Sequence, residues 1–291
     1  PSPANAYAGK ICVIRRNTCE FGLKALEAQL AGAVGVIIVS RDSSIPSTIA
    51  PGASGANVTI PVVMISNADG QLLIDQMATG SVVAFLGNKT GLFANDVGLN
   101  ASSTLISKST GVLAQLAQNG SEFNFEIGTR VFNYGNANQT NVSVSASVVN
   151  PSGSVVYSQT ISGINIPAGD SVDLYPYSGL SFPNFNLASY PAGRYTLTYS
   201  VSLTGADQYP NDNVFSSDFV INDSVFTYAS IDAVSSLPIS TGGRRPAGGF
   251  SFYSTCIALR DPNASRIGVS GIYFQGVTNN GYDLTGEEIP L

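Results

Sequence analysis

The run "KICVIRRNTCEFGLKALEAQLAGAVGVIIV", residues 10–39, leaves a chain few choices. "KICVI" (10–14) is short, apolar and partly β-branched, as a buried strand is. Asn17 stands where a helix N-cap would, with Glu20 three residues on in the spacing of a capping box. Phe21, Leu23, Leu26 and Leu30 then recur at helical spacing. "AGAVG" (31–35) stops the helix, with Gly32 placed just past its end, and "VGVIIV" (34–39) reads as a second strand. Strand, helix and strand in so short a stretch predict a βαβ unit with parallel strands and a right-handed crossover. A long, small and polar loop follows at 41–59, of a length that marks functional or mobile segments. The pattern then restarts. "IPVVMIS" (60–66) predicts a strand, "GQLLIDQM" (70–77) a helix capped by Asn67 or Asp69, and "SVVAFL" (81–86) a closing strand.

After Thr90 the period changes from helical to two. Phe123, Phe125, Ile127 and Val131 share a face; so do Val142, Val144, Ala146 and Val148, with serines between them; so do Tyr195, Leu197, Tyr199, Val201 and Leu203. Turn signals such as "NPSG", "IPAGD" and "YPAG" separate these runs. Short alternating strands with regular turns predict an immunoglobulin-like sandwich over 91–222. Beyond it, "VFTYASI" (225–231) and "IGVSGIYFQGV" (267–277) read as strands of a partial, truncated β-domain over 223–291. That segment is too short to bury a comfortable core alone, so it either packs on the sandwich or is part of something larger.

Composition excludes several functions. The chain has no histidine, which removes Ser-His-Asp and Cys-His catalysis and His-ligated zinc. Three cysteines cannot make a four-thiolate zinc site in one chain. A net charge of −6 argues against nucleic acid and anionic membranes, and no apolar run is long enough for membrane insertion. The turn "RRNT" (15–18) has no glycine with which to cradle a phosphate. Cys19, beside two arginines at a helix start, has two readings: an activated thiolate, or a Cys12–Cys19 disulfide tying strand end to helix start. No base accompanies the thiol, so the disulfide is the preferred expectation. Cys256 is then either buried and inert or paired elsewhere. Asp207 and Asp212 in "DQYPNDN" are weak calcium candidates, with an Asx-type turn the simpler reading. The expectation is of no catalytic residue, cofactor or metal, and hence of no enzyme in this chain.

The first segment is similar to the PA (protease-associated) domain. Arg16, Cys19, Phe21 and Lys24, then "AGAVGVIIV" with Gly32 and Gly35, then Pro61 in "IPVVMIS" and Gly70, match that family's motif in order. Asn17 stands where the family has glycine, and asparagine is the best-tolerated substitute at positive φ. The resemblance covers 1–90 and implies an α/β domain whose opening strands would precede Pro1. It also implies a non-catalytic appendage of secreted proteases, sorting receptors and surface proteins. Residues 91–222 resemble Ig-like modules of the CARDB type in "NDVGL" (95–99), "RVFNYGNANQTNVSVSASV" (130–148) and "DQYPNDNVFSSDFVI" (207–221). The last segment resembles the opening of a jelly roll. Asp170-Ser171-Val172 and Asp223-Ser224-Val225 resemble O-glycosylation tripeptides of Bacteroidetes, which suggests Ser171 and Ser224 as acceptors and a secreted or cell-surface setting. The expected function is interaction, adhesion or spacing with a protein or cell-surface partner. The rivals are an accessory region of a secreted peptidase and a self-assembling extracellular filament subunit.

Overall fold

The computed structural model describes residues 3–41, 46, 48–232, 235, 237–239 and 258–272. They divide into two compact units, one running up to Asn88 and the other from Lys89 onward.

In the first unit β1 (Ile11–Arg15), β2 (Gly35–Val39) and β3 (Val62–Ile65) form a parallel sheet in that order. α1 (Phe21–Leu30) joins the first two strands, and α2 (Asn67–Thr79) follows the third. Every residue of β2 is buried, as a central parallel strand covered on both faces requires. Val36 and Ile38 pack with Cys12, Ala25 and Ala28 on the α1 side. Ile37 and Val39 alternate to the other face, where Gly70 of α2 meets Val39 so closely that a Cβ on Gly70 would collide with its methyls. Gly32 ends α1 as expected, at φ +90°. Two expected caps differ. α2 is capped by Ser66, whose Oγ accepts the Asp69 N–H at 3.0 Å, because that hydroxyl stands one residue ahead of the first helical turn. α1 starts at Phe21 with no side-chain cap, and Asn17 Oδ1 accepts only the neighbouring Thr18 N–H. Residues 81–86 are not a strand: they join no ladder among the described residues, and Val83 and Phe85 lie exposed.

The second unit is built from β4 (Val97–Thr104), β5 (Gly111–Leu113), β6 (Asn124–Phe125), β7 (Thr129–Asn133), β8 (Gln139–Val149), β9 (Val155–Ile166), β10 (Ser171–Leu174), β11 (Phe185–Asn186), β12 (Gly193–Ser202) and β13 (Val214–Asn222). One sheet has the order β5-β13-β12-β8-β9, another β10-β7-β4, and β11 pairs with β6. The pairs are antiparallel except β13 with β5. The alternating apolar residues meet between the sheets: Val142, Val144, Ala146, Val148, Tyr195 and Tyr199 from one side, Val97, Val131 and Leu174 from the other, all wholly buried. Phe219 and Tyr195 stack at 4.9 Å in the middle. Buried tyrosines keep their hydroxyls paired, Tyr195 to the Pro191 carbonyl and Tyr199 to the Leu105 carbonyl, both at 2.9 Å. The chain thus carries an α/β unit and an immunoglobulin-like sandwich, as the two periodicities require.

The described residues after Asn222 belong to the same unit as the sandwich. The strand expected at 225–231 is reduced to single bridges, Thr227 with Gly111 and Ile231 with Pro238. Residues 258–272 carry one short 3₁₀ turn and no strand, and Arg266 reaches Glu122 at 3.0 Å. The rest of the jelly-roll-like segment, Cys256 included, lies outside the described residues.

Gly70→Ala separates two opposed effects. Alanine favours a helix over glycine by about 1 kcal/mol, whereas overpacking against a β-branched neighbour costs about 1–3 kcal/mol. The contact with Val39 makes overpacking win, so thermal unfolding of the variant is expected at a lower midpoint than wild type.

Candidate functional site

The motif residues of the first unit are spent on packing and on pinning a loop. The Arg15 guanidinium donates to Gln71 of α2 at 2.6 Å, and that of Arg16 lies 5.5 Å over the Phe21 ring. Lys24 Nζ donates to the Arg15 carbonyl at 3.4 Å. Asn17 does not take the left-handed conformation; among the described non-glycine residues only Asn5 and Asn141 do. Glu20, expected in a capping box, instead accepts the Ser54 N–H at 2.8 Å. Gln29 Oε1 accepts the N–H groups of Thr59 and Ile60 at 2.7 and 3.2 Å. Its Nε2 donates to the Asn57 carbonyl at 3.1 Å. Gly22 completes the clamp: any Cβ there would strike the Pro51 carbonyl and the Gly55 backbone. The described part of the 41–59 loop, from 48 onward, is thus fastened along one face of α1. Gly35 passes close under Leu86, and the Pro61 carbonyl accepts the Val36 N–H at 2.9 Å.

Cys12 and Cys19 are free thiols, so the expected disulfide between them is corrected. Cys12 lies in the alternation of β1 that faces Ala25 and Ala28, whereas Cys19 is exposed just before α1. Burial pushes the Cys12 thiol above its ordinary value. Both line a groove of about 530 Å³ beside β1, together with Tyr7, Ile14, Leu23 and Met77. The groove is largely apolar, with Lys10, Lys24 and Glu27 as its charged lining.

The densest electrostatic cluster lies in the second unit and centres on Lys89, a residue the sequence reading passed over. Its ammonium is 2.8 Å from Asp96 Oδ1 and 2.5 Å from Asp212 Oδ2. It also sits 4.1 Å over the Tyr134 ring and 4.5 Å over the Tyr209 ring. Asp96 is wholly buried, and its Oδ2 and the Oδ1 of Asp212 have no hydrogen-bond partner. Burial pushes the Asp96 carboxyl up by more than Lys89 pulls it down. Burial alone would lower the Lys89 ammonium, but bonds and charge from Asp212 and Asp96 more than offset it and hold it above the usual lysine value.

Both weak calcium candidates are engaged within the chain. Asp207 spends Oδ2 on the Val97 N–H at 3.0 Å and Oδ1 on the Tyr209 N–H at 2.7 Å, an Asx-type turn. Asp212 is taken by an ammonium that belongs to the chain itself. No group of three acidic, cysteine or histidine side chains suited to a metal ion occurs among the described residues. Of the two suggested glycosylation positions, Ser224 is exposed and Ser171 is half-buried at the start of β10. No helix among the described residues is long and apolar enough to cross a membrane.

Residues 1–73 match the family model of the PA domain. The chain is 43% identical over 79 residues to the aminopeptidase YwaD of Bacillus subtilis, a match covering 26% of this chain and 17% of that one. It is 34% identical over 77 residues to the ER degradation-enhancing alpha-mannosidase-like protein 3 of Xenopus laevis, covering 24% of this chain and 8% of that one. The chain therefore spans less than a fifth of the length of these relatives. Among solved structures, a CARDB domain from Pyrococcus furiosus, in complex with di-metal ions, aligns with 48% of this chain and 99% of its own length, at 17% identity and a TM-score of 0.30.

Replacing Lys89 by Met leaves the buried Asp96 and the half-buried Asp212 with no counter-charge, which costs about 3–5 kcal/mol at neutral pH. Burial already holds the Asp96 carboxyl above its ordinary value, and without the lysine nothing pulls it down. The penalty at Asp96 is therefore full above its folded-state value and fades as pH falls through it. Denaturant titrations of variant and wild type should converge toward acid pH. Separately, a thiol-alkylating reagent followed by peptide mass mapping should label Cys19 well before Cys12 on the native chain.

Proposed function

We propose that this chain is the non-catalytic accessory region of a larger secreted or cell-surface protein, with the PA domain as a contact module and the sandwich as a spacer. The observation that carries this reading is the fate of the motif. Arg15, Arg16, Glu20, Gly22, Lys24, Gln29 and Gly70 all serve to hold α1, the 48–59 segment and α2 on the sheet. Of these only Lys24 also lines the groove beside β1, and its ammonium there is bonded to the Arg15 carbonyl. The two relatives support an accessory role in a second way. One is an aminopeptidase and the other an alpha-mannosidase-like protein, and the stretch they share with this chain is a small part of each. A segment common to proteins with such different names does not carry the chemistry of either. Attachment to a secreted peptidase is the more specific form of this reading, favoured by the higher identity to the aminopeptidase.

The purified chain, assayed against aminoacyl p-nitroanilides and aryl mannosides with and without added zinc, calcium or manganese, is expected to turn over none of them. Turnover that scales with the chain through successive purification steps would overturn the proposal.

A further inference from the structure

Among the described residues, the sandwich protects three of the outer edges of its two main sheets and leaves the fourth open. β5 is three residues long and is bridged by Thr227. β10 is four residues long, and its Asp173 is paired with Arg130 at 2.5 Å. β4 loses register with its neighbour between Leu99 and Thr104. Short length, charge and bulges are the usual devices against unwanted strand pairing. β9, at the end of the five-stranded sheet, is twelve residues long and contains no proline and no charged residue. Its ladder with β8 shifts near the ends, but Ser145–Val148 pair in unbroken register with Thr160–Tyr157, so the middle of the free edge is regular. Ser158, Gln159, Thr160, Ser162 and Asn165 are exposed along it.

Charge singles out the occupant. The chain carries −6 overall, so two copies repel across most of their surface. From Val131 to Gly169, however, there is no charged residue, and this stretch includes all of β8 and β9. The exposed face beside the edge is lined by hydroxyls already bonded to one another, Ser145 with Thr160 at 2.8 Å and Ser143 with Ser162 at 3.1 Å. Such a strip meets its own copy without like-charge opposition or a desolvated ion, and its unpaired backbone groups are self-complementary when two copies meet antiparallel.

We infer that the β9 edge pairs with the β9 edge of a second copy of this chain, antiparallel about a two-fold axis, so that two five-stranded sheets become one. The contact is isologous, so it closes on itself as a dimer and leaves no further β9 edge for growth. It concerns the sandwich alone and goes beyond the accessory role proposed above.

Sedimentation velocity on the 291-residue chain, from about 1 to about 100 µM, reads the association directly. Wild type is expected to shift from monomer toward dimer with concentration. Ser158→Lys with Thr160→Lys places four lysines near the two-fold and is expected to weaken association about tenfold or more. Both positions are exposed, and an unchanged far-UV circular dichroism spectrum verifies folding. Ser216→Lys, exposed on β13 away from the edge, should leave the dimer intact. A chain that stays monomeric across the range overturns the inference, as does a dimer indifferent to the two lysines.

Discussion

One ammonium group holds the entrance to the sandwich together. Lys89 is the first residue of the second unit, and its two carboxylate partners come from distant parts of the chain. Asp96 immediately precedes β4, and Asp212 lies in the short turn between β12 and β13. Tyr134, just after β7, and Tyr209 complete the surroundings. Strands from both sheets thus lead to one charged centre, whose geometry is set by hydrogen bonds rather than by apolar fit. A buried carboxylate such as Asp96 is costly, and a second carboxylate beside it more so. The lysine supplies the counter-charge to both.

The first unit solves a different problem with the same economy. A parallel sheet needs cover on both faces, and here the cover comes close because glycine lies at the contacts. Gly70 lets α2 sit on Val39, and Gly22 lets the 48–59 segment lie along α1. Polar side chains of α1 then satisfy the backbone of that segment, which has no ladder of its own. These residues together describe how this βαβ unit binds its own loop.

Much of this was legible before any coordinates. The periods of two and 3.6 placed the elements, because burial acts on every residue of a strand or helix and leaves a regular trace. Val142, Val144, Ala146 and Val148 are the clearest case, fully buried as their alternation requires. Single polar residues were less legible. Glu20 at capping-box spacing binds a segment more than thirty residues away, a choice made by tertiary packing and invisible to local pattern. Lys89 gave no signal at all, since nothing within a lone lysine's neighbourhood announces partners at 96 and 212. Residues 81–86 mislead for a related reason: an apolar, β-branched run is a strand only when it pairs with a neighbour, and this one joins no ladder among the described residues.

The two described thiols bear on where such a molecule can be made. Neither helix nor sheet of the first unit is held by a covalent cross-link between Cys12 and Cys19. Its cohesion comes from apolar contact and backbone hydrogen bonding, which electron donors such as glutathione leave untouched. Forming that unit therefore does not depend on oxidising Cys12 and Cys19 to a disulfide, and a reductant finds no bond between them to break.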